Sequence, residues 1–116
     1  MSRIAISVQR GGEGLKALLD DRFGRAEAFV VVERETREVI ETIDNASADA
    51  SHGAGPAAAA ELSSAGVNAV ISGRFGPKAA DALKALGIET WIAPSGSIAE
   101  DALGMLDEGR LELVQS

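Results

Sequence analysis

The stretch Gly66-Val67-Asn68-Ala69-Val70-Ile71-Ser72-Gly73-Arg74-Phe75-Gly76-Pro77-Lys78-Ala79-Ala80-Asp81-Ala82-Leu83-Lys84-Ala85-Leu86-Gly87 decides the fold class. Asn68 to Ser72 is a short apolar run bounded by turn residues, the pattern of a buried strand. Pro77 suits a helix start, the alanine-rich segment after it favours helix to Leu86, and Gly87 stands where a left-handed cap belongs. A strand over Ile88 to Ala93 follows at once. The same unit comes just before: Pro56 at a helix start, Ala57 to Ala65 with high helix propensity, and Gly66 as cap. Links this short favour parallel strands joined by right-handed crossovers, so the chain reads as α/β.

Toward the N-terminus, Arg3 to Val8 sets Ile4, Ile6 and Val8 on one side and Ala5 and Ser7 on the other, a strand whose second face is also partly covered. Gln9 to Glu27 reads mostly as a long loop. It opens with Gly11-Gly12-Glu13-Gly14 and carries Leu15, Leu18 and Leu19, enough for one helical turn. Ala28 to Glu33 and Glu38 to Ile43 are strand-like, and the short polar link between them predicts a tight hairpin. Asp44 to Pro56 has no periodicity and predicts a mobile loop, with low hydrogen-exchange protection over Asp44 to Gly55. Toward the C-terminus, Ser97 and Glu100 have capping-box spacing before a helix through Leu106, closed by Gly109, and Leu111 to Val114 forms a short extended tail. A hairpin followed by two strand-helix units predicts one domain over residues 1–116 with a mixed five-stranded sheet. Ile4, Ile6, Val8, Val70 and Ile71 fall in its central strands.

A chain of 116 residues, 46% hydrophobic and 25% charged, suits a single core. Neither a membrane-spanning run nor a secretory leader is visible, which predicts a cytoplasmic protein with no membrane partner. With no cysteine there is no disulfide, no thiolate zinc site, no Cys nucleophile and no cluster held by four thiolates. A net charge of −7, 3% aromatics and no tyrosine argue against nucleic acid as a partner. The phosphate-loop, nucleophile-elbow and dinucleotide signatures are missing, and the central strands carry no carboxylates for a metal-dependent nuclease. A non-enzymatic role is therefore expected.

Two segments echo one another: Asp21-Arg22-Phe23-Gly24-Arg25-Ala26 and Gly73-Arg74-Phe75-Gly76-Pro77-Lys78-Ala79. They hold Arg22, Arg25, Arg74 and Lys78, and the second passes from a strand into a helix start, where free N–H groups welcome an anion. The plainer alternative is that Phe23 and Phe75 plug the core while the charges are merely solvated. His52-Gly53-Ala54-Gly55 precedes the other helix start, and His52 is the chain's one imidazole. It is either a surface residue or a ligand to an anion or metal cluster. Asp20 and Asp21 read as a solvated turn. Ligands of α/β sheets collect beyond strand carboxyl ends, so a site is expected where these three loops converge. It comprises Arg22, Phe23, Gly24, Arg25, His52, Gly53, Gly55, Gly73, Arg74, Gly76 and Lys78, with His52 the only candidate metal ligand.

Several spaced motifs, in order and over nearly the whole chain, resemble the dinitrogenase iron–molybdenum cofactor-binding family, whose members include NifX, NafY and the C-terminal domain of NifB. They are Arg22-Phe23-Gly24-Arg25-Ala26, Phe29 to Glu33, His52-Gly53-Ala54-Gly55, Gly66-Val67, Ser72-Gly73, Gly76-Pro77-Lys78-Ala79 and Gly87-Ile88. The resemblance implies a ribonuclease H-like fold with strand order 3-2-1-4-5, strand 2 antiparallel to the rest, and helices on both sheet faces. It also implies transient binding of an iron–molybdenum cofactor or an iron–sulfur precursor during nitrogenase assembly, with no permanently held cofactor and with nitrogenase assembly proteins as partners. Such a cargo is anionic, and Arg22, Arg25, Arg74 and Lys78 would complement it. Cofactor-carrying members tend to have His before Phe-Gly; here Arg22 can pair with an anion but cannot ligate metal. The alternative function is a small-anion or protein-interaction module without metal.

Overall fold

The computed structural model describes residues 2–46, 48 and 53–114. In chain order the elements are β1 (Arg3–Val8), a 3-10 turn (Gly14–Lys16), β2 (Ala28–Glu33), β3 (Val39–Asp44), α1 (Ala54–Ser64), β4 (Ala69–Ser72), α2 (Pro77–Ala85), β5 (Glu89–Ile92), α3 (Ala99–Asp107) and β6 (Glu112–Leu113). They form one mixed sheet in the order β3-β2-β1-β4-β5-β6. Strands β1, β4 and β5 are parallel, while β2 runs antiparallel to β1 and to β3. The order expected for the first five strands holds. The expected count of five does not, because the C-terminal tail pairs with β5 as a sixth strand: Trp91 faces Leu113 and the Val114 N–H donates to the Thr90 carbonyl at 2.9 Å.

Alternation along the strands splits the core between two faces. Ile4, Ile6 and Val8 of β1, Val30 and Val32 of β2 and Ile71 of β4 pack against Ala99, Ala102, Leu103 and Leu106 of α3. Ala5, Phe29, Val31 and Val70 point the other way, onto Ala58, Ala59 and Leu62 of α1 and Ala79 and Leu83 of α2. Helices thus cover both faces, and the central strands are buried on both sides, as their near-continuous apolar sequences require. The helices end where Gly66, Gly87 and Gly109 take positive φ of 80°, 74° and 72°.

Three local expectations are corrected. The capping box does not form, because residues 17–19 pair strand-fashion with 97–99: Leu19 N–H donates to Ser97 O at 2.8 Å and Ala99 N–H to Ala17 O at 2.9 Å. That pairing makes Ile98 the cap residue, turns the Ser97 hydroxyl onto Pro94 O, and leaves Glu100 to pair with Lys16 at 3.1 Å. Helix α1 starts at Ala54, ahead of Pro56, so Gly55 is helical, and Asp44 ends β3. Of the mobile loop expected over 44–55, residues 47 and 49–52 lie outside the described residues, while Asp44 closes β3 and Ala54 and Gly55 open α1.

At the hairpin, Glu33 is 9% exposed and its Oε2 has no hydrogen-bond partner. A hydrogen bond with the Glu35 side chain, then burial, pushes the Glu33 carboxyl up, and the same bond pulls Glu35 down. A raised carboxyl favours folding only while protonated, and that favour is lost as pH rises through its folded value. Glu35, lowered, acts in the opposite sense and loses its contribution as pH falls through its own. Glu33→Gln would give Glu35 a permanent N–H donor. The variant should melt above the wild type at neutral pH, and the gap should close as acid protonates Glu33. Melting curves across the acid range check this; a gap independent of pH would dismiss the shared proton.

Candidate functional site

Beyond Ser72, the carboxyl end of β4, the chain runs through Gly73 and Arg74 into the start of α2 at Pro77. Alongside lies the segment from Asp20 to Ala26, joined to it by a parallel bridge between Arg22 and Arg74 and by the Phe23 N–H donating to Arg74 O at 3.3 Å. Only glycine permits this approach, since a Cβ on Gly73 would lie 2.6 Å from Asp21 Cα. The N-terminus of α1 closes the third side. A Cβ on Gly24 would stand 2.8 Å from Gly55 N, and one on Gly55 would stand 2.7 Å from Ala79 Cβ. The three segments therefore meet backbone to backbone around a cavity of about 590 Å³ lined by residues 22–25, 53–56 and 74–79.

Phe23, 1% exposed, anchors this end of the sheet, its ring 5.4 Å from Phe29 and 5.3 Å from Phe75. Phe75 is half-buried and forms a wall of the cavity. Arg22, Arg25, Arg74 and Lys78 are exposed around it. Arg25 Nη1 donates to Ala48 O at 2.8 Å, and Arg22 Nε donates to Asp20 Oδ1 at 3.3 Å. Among the described residues, Arg74 and Lys78 have no ion-pair partner and no acidic side chain lines the cavity. Among the described residues no side chain caps the N-terminus of α1 or α2, so their first-turn N–H groups and positive ends add to the four cations. The chemistry favoured here is binding of an anion of many atoms. Among the described residues, no three His, Cys, Asp or Glu side chains gather to hold a metal ion.

Of the residues singled out in the sequence, Arg22, Phe23, Gly24, Arg25, Gly53, Gly55, Arg74, Gly76 and Lys78 line the cavity together. Gly73 lies behind the wall, against Asp21, and His52 is outside the described residues. Sequence reasoning missed two braces. Asp20 is not part of a solvated turn: it is 2% exposed, because its Oδ1 accepts the Arg22 N–H at 3.0 Å and its Oδ2 the Glu27 N–H at 3.3 Å. The i to i+2 bond to Arg22 is a habit of Asp in turns and was the available signal. Asn45 is 7% exposed, and its amide donates to Gly24 O at 3.1 Å and Ala26 O at 2.9 Å. Nothing local in the sequence announces that role.

A family model described as dinitrogenase iron–molybdenum cofactor matches residues 2–109. The chain is 38% identical over 96 residues to the uncharacterised protein MJ0580 of Methanocaldococcus jannaschii, covering 81% of this chain and 80% of that one. It superposes on the apo form of the orange protein of Desulfovibrio gigas with a TM-score of 0.91 and 39% identity, covering all of this chain and 95% of the other. A Thermotoga protein described as a NifB candidate of the DUF35 family is similar at a TM-score of 0.84 and 36% identity, over all of this chain and 96% of that one.

Proposed function

The chain belongs to the dinitrogenase iron–molybdenum cofactor family, and from that premise we propose that it is a non-catalytic carrier. It binds the iron–molybdenum cofactor, its precursor or a related anionic iron–sulfur cluster transiently in the cavity between residues 22–25, 53–56 and 74–79. The observation that carries this is the convergence, on one cavity, of four cationic side chains and two helix N-termini that have no side-chain cap, with no acidic lining residue, among the described residues. The donor set fits such a cargo. Arg22, Arg25, Arg74, Lys78 and the N–H groups of the helix starts hold its charge, Gly53 and Gly76 leave the helix starts open to it, Gly24, Gly55 and Gly73 let the three segments close around it, and Phe23 and Phe75 support the wall. His52, just before Gly53 in the sequence, is the chain's one imidazole and the proposed metal ligand. Nitrogenase assembly proteins in the cytoplasm are the proposed donors and acceptors; among the described residues no helix is long and apolar enough to cross a membrane.

The experiment is anaerobic titration of the purified protein with isolated iron–molybdenum cofactor, with its precursor, and with inorganic phosphate, followed by absorbance and electron paramagnetic resonance. Binding of either cluster is expected, and His52→Ala should weaken it while sparing phosphate. Failure to bind both clusters would end the carrier role, and phosphate binding alone would make the protein a small-anion module. Cluster binding indifferent to His52→Ala would remove the histidine from the site and leave the carrier role standing.

A further inference from the structure

A buried carboxylate touches the proposed anion site through Arg22. The Asp20 carboxylate, 2% exposed, accepts hydrogen bonds from the main-chain N–H and the Nε of Arg22, a residue that lines the cavity. Its place is fixed from below. The Asp20 N–H donates to Ser7 O at 2.8 Å, and the Asp20 carbonyl accepts the hydroxyls of Ser7 at 2.8 Å and Ser72 at 3.3 Å, both at the carboxyl ends of central strands. Arg74 and Lys78 have no such counter-charge among the described residues.

Resting on the carrier function above, we infer that Asp20 is a built-in counter-charge that weakens anion binding in this cavity and so keeps its cargo transferable. Asparagine would still accept the Arg22 N–H through its Oδ1, but its amide nitrogen would face the Glu27 N–H that Oδ2 accepts, so the carboxylate both braces the loop and carries a charge, and the two roles must be separated by experiment. A buried carboxylate is poorly screened, and its repulsion acts on whatever anion Arg22 attracts. Four cations and two helix ends around a polyanion, with nothing opposing them, would hold it with a very slow off-rate, and affinity differences at one site are expressed mostly in dissociation. Asp20 cancels part of the Arg22 charge while leaving the Nη groups of that guanidinium to the cargo.

The distinguishing mark is dependence on ligand charge, because Coulomb repulsion scales with it and loop geometry does not. Sulfate and perchlorate are tetrahedral anions of similar size carrying two charges and one. Their binding to the wild type and to Asp20→Asn is measured by calorimetry at fixed ionic strength, each anion compared with itself. Asp20→Asn should bind sulfate about tenfold more tightly and perchlorate about threefold, the ratio set by their charges. An equal change for the two anions, or weaker binding of both, would show that Asp20 only shapes the loop. Should the variant not fold, the wild type answers the same question, since the coupling is reciprocal. Saturating sulfate must then move the acid titration of the Asp20 carboxyl carbon resonance to higher pH, and perchlorate less; a titration unmoved by either overturns the inference. If the wild type binds sulfate with this signature but takes up neither cluster, the carrier function fails and the counter-charge stands. If it binds no anion at all, both fall.

Discussion

Ile6→Asp should abolish folding. Ile6 is fully buried in β1, between Val30 of β2 and Ile71 of β4, with α3 over its face of the sheet. The substitution removes a core side chain, a loss of about 2–5 kcal/mol for large-to-small changes, and leaves a carboxylate with no partner in the apolar layer, a further cost of several kcal/mol. The sum is comparable to the roughly 5–15 kcal/mol that holds a domain of this size together. Circular dichroism should show no cooperative melt. Ile40→Asp is the control: Ile40 is 39% exposed on the edge strand β3, and that variant should melt close to the wild type. An Ile6→Asp protein with wild-type melting would remove β1 from the centre of the sheet.

Replacing Arg22 and Arg74 together by alanine should weaken binding of the iron–molybdenum cofactor and of phosphate alike, on the order of a hundredfold. Each guanidinium offers charge-assisted hydrogen bonds worth about 1.5–3 kcal/mol, roughly a factor of ten or more apiece. Both side chains line the cavity, and the bridge between their backbones places them side by side. The salt dependence of binding should fall as well, since two of the four cations that attract the anion are gone. The single variants separate binding from folding. Arg74→Ala breaks no ion pair among the described residues and should leave melting unchanged, whereas Arg22→Ala deprives the buried Asp20 of its guanidinium and should lower it. The Arg22 side chain is 53% exposed, so water reaches that pair and the loss of stability stays modest. A double variant that is folded and still binds with undiminished affinity and salt sensitivity would move the anion site elsewhere.

The α/β class, the central strands and the helix ends were legible in the chain because each depends on near neighbours. Alternation at Ile4, Ile6 and Val8 assigns a face by the period of the strand, and Gly66, Gly87 and Gly109 each stop a helix through their own φ. Most of the candidate site was legible for the same reason, since its glycines and cations sit within a few residues of two helix starts. Tertiary structure alone decided the remainder. Strand β6 is two residues long and exists only as a partner to β5; Ser97 lost its capping role to a pairing with residues far back in the chain, between Leu18 and Ile98. Asp20 became buried because Ser7, Ser72, Arg22 and Glu27 surround it, and the cavity took its shape where Gly24, Gly55 and Ala79 touch. Local periodicity determines which segments form helices and strands, but contacts between distant segments are settled by close packing and by the need to give every buried polar group a partner, which no single stretch of sequence contains.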